Sequence, residues 1–159
     1  PAVGLRVVIF QLVLEEPDCL VGVLLIDVGM GRKVPYPTSE ASPDTDFTGT
    51  LVDVHPDGKA IIICEGILRA RFRDSIEKPV LIEPGKVYEL TVDMWETSNM
   101  FKAGHRIRLE VSSSNFPRFE RNQNTGTQPG LDADIAVASQ TIYHDAAHAS
   151  YLTLPVMSG

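Results

Sequence analysis

The stretch GHRIRLEVSSSNFPRF, Gly104 to Phe119, places His105, Glu110 and three consecutive serines, Ser112, Ser113 and Ser114, within ten positions. A hydroxyl nucleophile, an imidazole base and a carboxylate that orients it are the parts of a serine hydrolase. In an α/β hydrolase the serine stands on a sharp strand-to-helix elbow, G-x-S-x-G, whose glycines permit the strained turn. No G-x-S-x-G occurs in the 159 residues. A triad on another fold stays open, because His144, His148 and many aspartates are also present and chain order does not define a triad. The plainer reading is a strand. Ile107, Leu109, Val111 and Ser113 share one face, while Arg106, Arg108, Glu110 and Ser112 share the other. Ile107, Leu109 and Val111 are then expected to be buried. The serines end the strand, where hydroxyls satisfy free backbone groups.

Other residue sets invite other chemistry. Asp44, Asp46, Asp53 and Asp57 lie within 14 positions, and calcium takes six to eight hard oxygens of that kind. Asp and Pro before a strand also make turns unaided, as Asp57 does in a Pro-Asp-Gly sequence. No metal and no cofactor is assigned; whether those four carboxylates bind an ion is left open. VLLIDVGMG, residues 23–31, mimics a dinucleotide-binding strand and turn but lacks the third glycine and a following helix. A buried strand followed by a Gly-rich loop accounts for it. Cys19 and Cys64 form no C-x-x-C pair, and each sits in an apolar run where a thiol packs as a small hydrophobe.

These residues need a scaffold, and its period is two. In VYELTVDM, Tyr88, Leu90, Val92 and Met94 take one face and Val87, Glu89, Thr91 and Asp93 the other. GILRARFRDS sets Leu68, Ala70 and Phe72 against Arg69, Arg71 and Arg73. That arginine row is either a solvated, salt-bridged face or a surface for docking an acidic neighbouring domain. HPDG, between FTGTLVDV and KAIIIC, predicts a hairpin or a tight strand connection. IAVASQTIY and ASYLTL add two strands, and WETSNMFKAG is the one helical-turn candidate. Trp95, Phe101, Phe116 and Phe119 fit a core; the last two flank Pro117 in a loop and, if exposed, would suit an interface. The fold class is all-β, a β-sandwich forming one domain over residues 1–159. The net charge of −7 lacks the basic stripe of a nucleic-acid binder. No apolar run reaches membrane-spanning length. The chain begins at Pro1 without a signal-peptide pattern, as a fragment or processed product would, and the cytoplasm is the expected compartment.

SPDTDFTGTLVDVHPDGKAIIICEGILRARFRDS and LIEPGKVYELTVDMWETSNMFKAGHRIRLEVSSSNFPRFERNQNTG closely resemble the C-terminal domain of the cocaine esterase and X-Pro dipeptidyl-peptidase family of serine hydrolases. The resemblance covers about residues 39–126 and the tail ASYLTLPV; residues 1–38 are atypical. It implies a jelly-roll β-sandwich of the galactose-binding-like type, following an α/β-hydrolase domain that holds the Ser-Asp-His triad. No triad motif matches a position here, so no catalytic residue is carried over and the chain alone is expected to be inactive. The implied partner is the α/β-hydrolase catalytic domain of the parent protein, with a homo-oligomer contact also open. Arg69, Arg71, Arg73, Phe116 and Phe119 are the candidate domain or subunit interface. The competing expectation is a free-standing ligand- or carbohydrate-binding module.

Overall fold

The computed structural model describes residues 6–13, 42–131, 133–143 and 146–154. Cys19, His144 and the Gly-rich stretch of residues 23–31 lie outside them. Among the described residues six strands appear: β1 (Arg6–Val13), β2 (Asp46–Val54), β3 (Ala60–Arg69), β4 (Tyr88–Asp93), β5 (Arg106–Ser112) and β6 (Thr141–Tyr143). They form two antiparallel sheets, ordered β4-β1-β6 and β3-β2-β5. The expected hairpin is present. β2 and β3 pair from Val54–Ala60 to Asp46–Arg69, with one register shift at Leu51/Val52. Its turn closes when the Gly58 N–H donates to the His55 carbonyl at 2.9 Å, with Gly58 at φ +88°, a conformation that glycine takes without a Cβ clash.

The sheets share one core. Phe47, Leu51 and Val111 come from one, Leu90, Val92 and Ile142 from the other, and Ala70, Ile82 and Met94 complete it. β4 alternates as its sequence predicts: Leu90 and Val92 are buried, while Glu89, Thr91 and Asp93 are exposed. β2, central in its sheet, is buried at all nine positions. Gly66 sets how closely β3 approaches the end of β4. A Cβ there would lie 2.0 Å from the Asp93 carbonyl oxygen, so no side chain fits without moving a backbone.

Several expectations are corrected. Along β5 burial is graded and does not alternate cleanly: Val111 is fully buried, Leu109 half-buried and Ile107 47% exposed. Ile107 stands at the hairpin end of the sheet, where less of the core reaches it. The alternation of GILRARFRDS stops at Arg69, because Ala70–Phe72 turns as a 3-10 helix. It is the only helical element among the described residues, and WETSNMFKAG forms none. Trp95 is 72% exposed: β4 ends at Asp93, and the backbone at Trp95 leaves the extended conformation, with φ +69°. IAVASQTIY is strand only at Thr141–Tyr143, and ASYLTL contributes one bridge residue, Leu152. Around Ile135 and Val137, both exposed, the chain is held by a loop contact, Ala136 N–H to the Gln123 carbonyl at 2.8 Å.

Candidate functional site

The serines and histidine of the opening stretch do not meet. His105 precedes β5 and Ser112 ends it, so seven residues of extended chain, roughly 23 Å, separate them. Ser112 contributes its carbonyl to the Thr48 hydroxyl at 3.1 Å, while Ser113 and Ser114 are exposed. His105 turns instead to Asp53.

The four aspartates also part company. Asp46 and Asp53 are at opposite ends of β2, again roughly 23 Å apart. Asp57 accepts the Lys59 N–H at 3.0 Å within the hairpin turn. Asp44 and Asp46, both fully buried, are filled by cationic and amide donors. Arg71 gives Asp44 its backbone N–H at 3.0 Å and its Nε at 2.8 Å. Arg69 holds Asp46 through Nε at 2.8 Å and Nη2 at 3.1 Å. The Asn122 amide bridges both carboxylates, at 2.9 Å to Asp44 and 2.8 Å to Asp46. Its own carbonyl oxygen takes the Asn124 N–H at 2.9 Å. A bidentate guanidinium favours its charged form. The hydrogen bond to Asp46 accordingly holds Arg69 above its ordinary pKa, with nearby Asp46, Asp44 and Glu120 adding and burial opposing. Asn122 was missed at the sequence level; only the polar run RNQNTG hinted at it.

The arginines therefore do not form one row. Arg69 and Arg71 pair inward, and Arg73 donates to the Ala70 and Val80 carbonyls at 3.1 and 2.6 Å while covering the Tyr88 ring at 4.6 Å. The 3-10 turn at Ala70–Phe72 separates their directions. Arg69 and Phe119 nevertheless line one groove, together with Ile67, Leu68, Phe72 and Ile76. Ile76 is 83% exposed at that groove. The loop carrying Phe119 is fixed: its N–H donates to the Asn115 carbonyl at 3.1 Å, Asn115 Nδ2 reaches Glu65 at 2.7 Å, and Arg118 pairs with Glu65 at 2.9 Å. Phe116 is exposed on the same turn, under the Arg121 guanidinium at 4.7 Å.

A second cluster, unforeseen in the sequence, closes the hairpin end of β3-β2-β5. Asp53 and His55 are two residues apart and so share a face. The β2–β5 register ends with Val54 opposite Arg106, so the residues that flank this pair, His55 and His105, come together. Asp53 receives His105 Nδ1 on both oxygens, at 2.8 and 3.0 Å, and His55 Nε2 lies 3.8 Å away. The two imidazoles are 4.3 Å apart between centroids. The one signal available to sequence was the i, i+2 pair in DVH. Cys64, a free thiol on β3, is pushed up in pKa by burial first and by Glu65 second, which disfavours its thiolate.

An all-β domain results, with its conspicuous charged groups tied into internal pairs and with no nucleophile elbow among the described residues. Residues 6–153 match the X-Pro dipeptidyl-peptidase C-terminal non-catalytic domain, and the chain belongs to that family. It is 46% identical over 121 residues to the cocaine esterase of Rhodococcus sp. (strain MB1 Bresler), a match covering 75% of this chain and 21% of that enzyme. The chain thus spans about a fifth of the length of that relative. Two solved structures share the fold. An aminopeptidase from the marine sediment archaeon Thaumarchaeota archaeon superposes with a TM-score of 0.70 at 20% identity, over 99% of this chain and 23% of its own. An α-amino acid ester hydrolase gives 0.68 at 23% identity, over 98% and 23%.

Proposed function

We propose that the chain is the C-terminal jelly-roll domain, galactose-binding-like in type, of a serine hydrolase of the esterase, acylase or X-Pro dipeptidyl-peptidase kind. In this reading it packs on the parent's α/β-hydrolase domain and shapes the active site or a subunit interface, while the chemistry resides in that partner. The observation that carries the proposal is the match of residues 6–153 to a domain family described as C-terminal and non-catalytic.

The groove between the end of β3 and the Phe119 loop is the docking surface we favour. Its lining by Ile67, Leu68, Phe72, Ile76 and Phe119 is apolar, and Arg69, Asp46 and Glu120 border it with charge. An apolar centre with a polar rim is the anatomy of a protein interface. Phe116, 60% exposed, extends it along the loop. Arg69 forms one wall, while Arg71 and Arg73 hold the frame.

The test has two parts. Para-nitrophenyl ester and Xaa-Pro-nitroanilide assays on the chain alone should show no turnover above buffer. The parent's α/β-hydrolase domain, expressed separately, should co-purify with the chain, and Phe116→Ser combined with Ile76→Glu should abolish that association. A strictly monomeric chain that ignores the hydrolase domain at high micromolar concentration would sink the docking reading and favour a free-standing binding module.

A further inference from the structure

The Asp53–His55–His105 cluster takes no part in the docking surface, and its chemistry is different in kind. One ligand atom from each residue lies within 4.8 Å of the other two. Two imidazoles and one carboxylate are the donor set of zinc and its neighbours among the divalent transition ions; calcium and magnesium ask for more oxygens. We propose that Asp53, His55 and His105 bind a divalent transition ion of the zinc class, which clips the β2–β3 hairpin to the turn that enters β5.

The spacing supports this. Tetrahedral zinc with bonds near 2.0–2.1 Å holds its donor atoms about 3.3 Å apart. Here the Asp53–His105 separations are 2.8 and 3.0 Å and the His55–Asp53 separation is 3.8 Å. These two pairs lie on either side of the required distance and adjust by about half an ångström; the His55 and His105 donor atoms lie within 4.8 Å of each other and close through the exposed His55 side chain. His105 would bind through Nδ1, with its ring proton carried on Nε2; the metal replaces the hydrogen bond that now joins Nδ1 to Asp53.

Preorganisation comes from the backbone. Asp53 is fixed within β2, and His55 and His105 directly flank the last ladder pair, Val54 and Arg106; the His55 N–H also donates to the Lys59 carbonyl at 2.8 Å. The His105 N–H also donates to the Lys102 carbonyl at 3.0 Å, which fixes its turn. Access comes from His55. Its side chain is 32% exposed, whereas Asp53 and His105 are at 8% and 11%. An ion therefore enters from the His55 side, and the fourth position faces solvent and takes water. Because the ligands come from two separate stretches of chain, binding would favour the folded state by mass action.

Untagged protein treated with EDTA and dialysed should be titrated with zinc chloride by calorimetry, with thermal unfolding followed in parallel. We expect one saturable site and a melting temperature that rises with zinc concentration. Cobalt should give the visible absorption of a four-coordinate ion. His55→Ala, at the exposed position, should weaken zinc binding at least tenfold, since even indirect supports of a metal site are worth about 10–100-fold, and should leave the metal-free melting temperature nearly unchanged. His148→Ala should leave zinc binding as it was. The proposal is overturned if no stoichiometric binding occurs below about 100 μM zinc, far weaker than structural zinc sites. Wild-type affinity in His55→Ala, or an equal response to calcium, overturns it as well.

Discussion

Asp44→Ala is the perturbation that reads the buried charge network most directly. The Asp44 side chain is fully buried and receives three hydrogen bonds, two from Arg71 and one from Asn122. Removing it strands the Arg71 guanidinium at 9% exposure, without a counterion and too enclosed for water to replace one. Breaking a buried pair from one side costs about 3–5 kcal/mol, since the uncompensated charge still bears its desolvation penalty. That is a large part of the roughly 5–15 kcal/mol available to a domain. With a urea slope of about 2 kcal/mol per molar, the midpoint should fall by about 2 M. Asn122→Ala should cost less, about 1–2 kcal/mol, because both carboxylates keep their arginines. The double variant Asp44→Leu with Arg71→Met removes both charges and should lose less than its single variants, Asp44→Leu and Arg71→Met, lose together, a coupling of at least about 1 kcal/mol. Urea unfolding followed by circular dichroism measures the wild type and each of these variants. A loss below about 1 kcal/mol for Asp44→Ala, or strict additivity in the cycle, would refute the claim that this pair is desolvated and held by its partners.

Two further outcomes are expected. Val111→Ala, at a fully buried site, should cost about 2 kcal/mol, and Ile107→Ala, 47% exposed, less than about 1 kcal/mol; similar losses in urea unfolding would contradict the graded burial of β5. In a Cys19→Ser background, Cys64 should react with iodoacetamide more slowly in the folded protein than in urea at pH 7.5, and catch up only above the ordinary thiol range, because burial and Glu65 disfavour the thiolate. Equal folded and unfolded rates at pH 7.5 would show an accessible, ordinary thiol.

The sequence strings that carry the family resemblance are also the ones the fold joins. SPDTDF supplies Asp44 and Asp46, LRARFRDS supplies Arg69 and Arg71, and RNQNTG supplies Asn122 and Asn124. The polar network between them links three segments far apart in the chain. A resemblance read along the sequence detects each string, but only the folded structure shows that they share one buried set of hydrogen bonds.

Period two in VYELTVDM and the HPDG turn determined, without coordinates, an all-β chain, the inward face of β4 and the β2–β3 hairpin. The physical reason is locality: side-chain alternation and turn geometry depend on neighbours a few residues away. The missing nucleophile elbow was likewise a local fact. What the tertiary structure decided was every statement about pairs of distant residues. The arginine row dissolved because a 3-10 turn at Ala70–Phe72 and the carboxylates of Asp44 and Asp46, 23 to 27 positions earlier, redirected its side chains. The four aspartates separated because one extended strand lies between Asp46 and Asp53. Asp53, His55 and His105 came together because β2 and β5 pair with Val54 opposite Arg106. A one-residue slip of that register would turn His105 to the other face of the sheet, so the cluster is a property of strand pairing, to which no local sequence pattern is sensitive.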